Sequence, residues 1–305
     1  MRPPENLSRM LSPDHPVVFL FHGVARDRTS GVRNYTGKHI PREDFLAILQ
    51  DLRASGTSCS IADVAAFVRG ECTLPPRSFA LTFDDGFRNN LDVAAPILDE
   101  FRLHASFYVV SDFLGGESMT WADRIESAIA EADAQLITLR LPNPSTLRLG
   151  NVDERVRAAE AIRAFVKSSS FVDAEAFADD VCLVLGVPDP PLLEGIDHKL
   201  TGDEARQLDS HALFTVGSHS KSHAILARLP EPLLETEIDE SCQVLSRVLG
   251  RAVDEFAYPE GFEGSFSTAA VRRLRENRLT AAVTTIPGPN PIGTDPLRIH
   301  RVFVA

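Results

Sequence analysis

The sequence predicts an α/β protein built from parallel βα units. Two apolar runs end directly in polar, chemistry-bearing residues: Val17-Val18-Phe19-Leu20-Phe21 before His22-Gly23, and Ser78-Phe79-Ala80-Leu81-Thr82-Phe83 before Asp84-Asp85-Gly86. Apolar runs without polar alternation are strands buried on both faces, as parallel sheets require. Segments of helical periodicity lie between such runs. With 305 residues, 44% of them hydrophobic and 24% charged, the chain has a globular composition. Its length fits one large α/β barrel or two ordinary domains.

Val17 to Phe21 reads as the first strand, and the polar, glycine-containing stretch from Ala25 to Ile40 as a loop. Pro41 then opens a helix with Phe45, Ile48, Leu49 and Leu52 on one side, proline being at home in a first helical turn. Ile61 to Arg69 reads as a short helix. After the strand that carries the two Asp, Val93 to Phe101 is helical, with Pro96 kinking it or shifting its start. Ala105 to Val110 is the next strand. The rhythm changes between Met119 and Asp197, where Trp121–Ala132, Val152–Ser168 and Ala174–Leu185 read as helices, interrupted by Pro142, Pro144, Pro188, Pro190 and Pro191. Residues 119–197 are therefore expected to be a helical insertion within a single domain spanning 1–305. Thr201 with Glu204 forms a capping box for the next helix. Phe214 to Gly217 is a short strand, Pro232 to Leu249 an amphipathic helix stopped by Gly250, and Phe256–Pro259, Ala281–Thr285 and Ile299–Val304 are later strands.

Net charge is −12, which argues against nucleic acid as a partner, because that needs a basic surface. No apolar stretch is long enough to cross a bilayer. The opening Met1–Leu7 lacks the continuous apolar core of a signal peptide, so a cytoplasmic location is expected. Cys59, Cys72, Cys182 and Cys242 are scattered without a CxxC pair and are expected to be free thiols.

Two adjacent carboxylates at the end of a buried strand need a reason, since burying a carboxylate is costly unless it is paired, hydrogen-bonded or bound to metal. Further on stands His219-Ser220-Lys221-Ser222-His223, two imidazoles four apart. One Asp with two His is a ligand set that leaves positions open on a divalent metal, and the other Asp is then free to act as a base.

Thr82-Phe83-Asp84-Asp85-Gly86 resembles the first motif of the polysaccharide deacetylases, the NodB-homology group also called carbohydrate esterase family four. Ser218 to His223 resembles their second motif, and Phe256-Ala257-Tyr258-Pro259-Glu260-Gly261 the third, in the family's order. Phe21-His22-Gly23-Val24 resembles the entry strand of one branch, the branch associated with surface-polysaccharide biosynthesis. The resemblance implies a distorted (β/α)7-type barrel, with the insertion on it and the site at the C-terminal ends of the strands. It implies one divalent metal, zinc first, with cobalt, nickel, manganese or iron as substitutes. By position, Asp85, His219 and His223 would hold it and Asp84 would be the base. His22, Tyr258 and Pro259 would face the substrate, the backbone around Tyr258 helping to hold the oxyanion. Two departures stand out. Many members begin the third motif with an arginine that steadies the base, whereas the nearest one here, Arg251, is too far upstream. There is also no clean final motif carrying the usual acid. His300 stands about where it should be, and His22 is the other candidate to protonate the leaving amine.

The expected function is hydrolytic removal of an N-acyl group, acetyl first, from an amino sugar in a cytoplasmic nucleotide- or lipid-linked precursor of a surface polysaccharide. A deformylase or other linear-amide hydrolase on the same barrel, and a non-catalytic sugar-binding barrel, are the alternatives.

Overall fold

Among the described residues seven parallel strands stand side by side, six in the order in which the chain lays them down and the last returned beside the first. The structure is a computed structural model that describes residues 6–29, 31–115, 117–139, 145–169 and 173–304. The chain runs through β1 (Val17–Phe21), β2 (Gly23–Ala25), β3 (His39–Pro41), α1 (Arg42–Ser55), β4 (Thr57–Ser58), α2 (Ile61–Val68), β5 (Ser78–Phe83), α3 (Ala95–Glu100) and β6 (Ala105–Val109). The insertion follows as α4 (Trp121–Glu131), β7 (Leu136–Leu139), β8 (Ser145–Arg148), α5 (Val152–Ser168) and α6 (Ala174–Val184). The remainder is α7 (Gly202–Asp209), β9 (Phe214–Ser218), α8 (Glu231–Leu249), β10 (Glu255–Ala257), α9 (Thr268–Glu276), β11 (Ala281–Val283) and β12 (Val302–Phe303).

The main sheet is ordered β12-β1-β5-β6-β9-β10-β11, with β4 added beside β5. The C-terminal segment joins its two ends: Ile299 bridges Val283 of β11, and Val302 and Phe303 pair with Phe19 and Leu20 of β1. The result is the curled α/β barrel that the motifs led us to expect. Phe19, Phe21, Phe83, Phe107 and Phe256 turn outward into the large cluster shared with the surrounding helices. Alternate positions turn the other way, and Val18, Ala80, Tyr108, Ala257 and Val283 form a cluster of smaller residues. Gly217 serves that crowded face, since a Cβ there would lie 2.7 Å from the Tyr108 ring and 2.8 Å from the Glu255 carbonyl.

The insertion has a hydrophobic cluster of its own, which includes Trp121, Ile125, Ile129, Ile137, Ile162, Val166 and Val181. It is not wholly helical, because β7 and β8 pair as an antiparallel hairpin. Ile137 and Leu139 alternate with exposed neighbours there, a half-buried strand pattern that is only four residues long. Pro142 and Pro144 lie outside the described residues. A second difference is at the first loop, where β2 and β3 pair as a small parallel sheet that brings Lys38 and His39 back beside β1. Pro96 does shift a helix start: a π-helical turn at Asn90–Ala94 precedes α3. All four cysteines are free. Among the described residues, no helix is long and apolar enough to cross a membrane.

Candidate metal centre and catalytic cavity

Asp84 and Asp85 follow β5 where its chain leaves the sheet, and His219 and His223 follow β9 at the same end of the barrel. Asp85, Ser220, His223 and Glu260 all have φ between 60° and 70°, in the left-handed region that costs a non-glycine residue energy. Such backbone is kept where surrounding structure enforces it, commonly at functional sites. The His loop shows how this is enforced. Glu237 of α8 accepts from the backbone N–H groups of Lys221 (3.1 Å) and Ser222 (2.9 Å) and from the Ser222 hydroxyl (2.6 Å), while the Ser220 hydroxyl accepts from His223 N–H at 3.0 Å.

The Nε2 atoms of His219 and His223 each lie 3.4 Å from Asp85 Oδ1. The three ligating atoms sit within 4.8 Å of one another. His219 Nδ1 is 2.8 Å from the Ala257 carbonyl, which can only accept, so Nδ1 carries the proton and Nε2 points a lone pair into the site. Asp85 Oδ1 is buried with no hydrogen-bond partner. A lone pair and an orphaned carboxylate oxygen that face each other at 3.4 Å repel unless a cation lies between them. That donor set fits a divalent metal. The other Asp85 oxygen is taken by Lys38 Nζ at 2.8 Å, and the same ammonium reaches Asp123 of α4 at 3.0 Å. Burial raises the Asp85 carboxyl, but the Lys38 ammonium beside it holds the group well below the usual carboxylate range.

Asp84 is 2% exposed, and Arg301 meets it with both arms of its guanidinium: Nη1 to Oδ1 and Nη2 to Oδ2, each 2.7 Å. Arg301 also donates to the Thr82 hydroxyl (3.1 Å) and the Thr284 carbonyl (2.7 Å). Burial pushes the Asp84 carboxyl up, and Arg301 followed by His219 pulls it below its ordinary value. The arginine absent from the third motif is therefore supplied from the far end of the chain. The sequence reading passed over Arg301 for its neighbour His300. The signal was there, in an arginine set in an apolar C-terminal strand.

Asp84, Asp85, His219 and His223 line a cavity of about 440 Å³ whose wall also includes His22, Lys38, Trp121, Arg163, Lys167 and Glu260. His22 is half-buried with its Nδ1 buried and unpartnered, and desolvation lowers its pKa to about 4. Three expected site residues are not brought to this cavity. His300 places Nδ1 3.0 Å from the Pro289 carbonyl and is bonded through its backbone to Asn290. Tyr258 stacks on Phe266, and its hydroxyl donates to the Leu297 carbonyl at 2.9 Å. The Tyr258 N–H is already given to the Val283 carbonyl at 3.2 Å, so it is not free for an oxyanion. Pro259 has no N–H to offer. The third motif meets the cavity instead at Glu260, whose carboxylate pairs with Lys167 at 2.5 Å. A second groove of about 580 Å³ adjoins the first and shares Trp121 and His223 with it.

The family model described as polysaccharide deacetylase matches residues 165–282. The chain is similar to that family. The match takes in His219, His223 and Glu260, and Asp84 and Asp85 lie before it. A comparison with curated proteins finds no match. Among solved structures, IcaB from Ammonifex degensii is 18% identical with a TM-score of 0.62, covering 97% of this chain and 94% of that one. Streptococcus pyogenes deacetylase PplD, determined in complex with acetate, is 14% identical with a TM-score of 0.59, covering 96% and 93%. A de-N-acetylase from Aggregatibacter actinomycetemcomitans is 18% identical with a TM-score of 0.56, covering 95% and 94%. At these identities the likeness is one of fold.

Proposed function

We propose that this protein is a metal-dependent N-deacylase that hydrolyses the acylamino group of a sugar, acetyl first, in a cytoplasmic nucleotide- or lipid-linked precursor. One observation carries the reading: Asp85 Oδ1 and two imidazole nitrogens converge on a point beside a second, separately held carboxylate. In this reading Asp85, His219 and His223 hold the metal, zinc first. A divalent ion there supplies Lewis-acid polarisation of the amide carbonyl and an acidified water. Asp84, fixed by Arg301, accepts the proton released in attack, a role that general-base catalysis rewards by about 10²- to 10⁴-fold. His22 lines the cavity and His300 does not, which favours His22 for proton delivery to the departing nitrogen. It is neutral near pH 7, so it would relay to the departing nitrogen the proton that Asp84 accepts in attack.

The adjoining groove favours a second reading of the substrate. Trp121 and His223 stand between the two depressions, so an extended sugar chain passing the metal site would contact both. The test is metal content together with acetate and formate release, for wild type and Asp84→Asn, on nucleotide-linked N-acyl sugars and on an N-acetylated oligosaccharide. Activity lost with metal retained in the variant is the expected result. A wild-type protein that binds no divalent metal overturns the reading. Formate release without acetate release moves the assignment to a deformylase.

A further inference from the structure

We infer that the cavity binds a phosphate group attached to the sugar, with Arg163 of the insertion as its principal contact. The inference deepens the deacylase reading and rests on it. The argument is a charge balance among the described residues that line the cavity. Asp84 is answered by Arg301 from behind the cavity wall, Asp85 by Lys38, which it shares with Asp123, and Glu260 by Lys167. Arg163 is the lining cation without an ion pair: among the described residues no carboxylate lies within 4 Å of it, and its polar neighbours are the Tyr35 hydroxyl, to which it hydrogen-bonds, and the more distant Glu260. A metal held by Asp85, His219 and His223 would add positive charge. The lining carboxylates and cations balance, so with that metal bound the cavity would be locally cationic in a chain of net charge −12.

The placement of Arg163 is not that of a loose surface side chain. Ile162 and Val166 are fully buried in the cluster that the insertion packs around, which anchors the face of α5 adjoining Arg163. Arg163 and Lys167 are four apart, so they share one helix face, an arrangement of like charges that by itself disfavours a helix. Glu260 offsets Lys167, and nothing comparable offsets Arg163. A guanidinium fork beside the Tyr35 phenol and the Lys167 ammonium offers donors in several directions. That suits the multiple acceptor oxygens of a phosphate better than the two of a carboxylate.

The experiment measures acetate release by metal-loaded wild type, Arg163→Ala and Arg163→Lys. The substrates are an N-acetylhexosamine as its uridine diphosphate ester, as a short-chain prenyl diphosphate ester, as its 1-phosphate, as a uronic acid and as its neutral methyl glycoside. The wild type should favour the phosphorylated forms through KM by roughly 10- to 100-fold, the range of a charge-assisted contact. Arg163→Ala should lose that preference and Arg163→Lys should keep part of it. The diphosphate forms tell a nucleotide from a lipid source. Equal KM for phosphorylated and neutral sugars, a preference confined to the uronic acid, or a preference that survives Arg163→Ala overturns the inference. Acetate from none of the sugars overturns the deacylase reading instead. Calorimetric titration with uridine diphosphate then decides the phosphate site separately: a Kd at least tenfold weaker in Arg163→Ala supports it, and an unchanged Kd overturns it.

Discussion

Arg301 and Asp84 form a fully buried ion pair, and pairs of this kind respond unequally to their two partners' loss. Removing one partner strands the other charge in a dry interior, which costs about 3–5 kcal/mol. Arg301→Ala should therefore lower unfolding stability by roughly that amount, read by urea denaturation. Arg301→Lys should recover much of the stability and little of the turnover, because an ammonium cannot grip both carboxylate oxygens at once. A lysine variant with wild-type kcat would show that the orientation of Asp84 is unimportant. Glu255 gives a pH prediction. Burial foremost, and Asp254 next, raise its carboxyl to about 7 from 4.5, against the pull of Ser106 and Tyr108. A folded pKa above the unfolded one means that the stabilising contribution is complete below about pH 4.5 and is lost as pH rises through 7. Glu255→Gln keeps an acceptor for the Tyr108 hydroxyl, which lies 3.2 Å from the carboxylate. The variant should gain up to about 3 kcal/mol on wild type at pH 8 relative to pH 5. Parallel stability curves for the two proteins between those values would refute the assignment.

At the scale of elements, the His loop and α5 carry the site. The loop's left-handed residues are held by Glu237 from α8, which satisfies two backbone N–H groups at once. Glu237→Ala leaves those donors without their acceptor, at about 1–3 kcal/mol, and frees the spacing of the two imidazoles. It should weaken metal binding by 10- to 100-fold, the range found for residues that orient ligands, in a competition assay with a chromophoric chelator. Unchanged affinity would mean that the loop is rigid without the clamp. Ile162 is fully buried in the insertion's separate cluster. Truncation to alanine should cost about 2–5 kcal/mol. Hydrogen exchange should report that loss in α4, α5 and α6, with the barrel strands protected as before, because the two clusters are distinct.

For the whole molecule, metal binding should couple to folding. A ligand at a hundredfold excess over its Kd adds about 2.7 kcal/mol of stability. Dialysis against a chelator should then lower Tm by several degrees, zinc should restore it, and Asp85→Ala should abolish the response. A Tm indifferent to both treatments would exclude a tight resident metal.

The buried strands at Val17–Phe21, Ser78–Phe83 and Ala105–Val109 were legible because their residues are mostly apolar without alternation, as two-sided burial requires, and Phe214–Gly217 was legible as a short strand leading to the His pair. Asp84, Asp85, His219 and His223 were legible because each stands at the end of such a strand, and in a parallel sheet strand ends gather on one side. The short elements were not: β7, β8, β2 and β3 are three or four residues each, too few to show a period. Nor were the partners of the carboxylates. Arg301 is 217 residues from Asp84, and Lys38 sits in what reads as a polar loop. Local pattern determined the strands and the chemistry at their ends. Closure of the barrel by Ile299 and Val302–Phe303, and the packing of α4 and α5 above it, decided which charge meets which. Those pairings are contacts between distant segments, set by the geometry of the closed sheet, and no period or spacing along the chain encodes them.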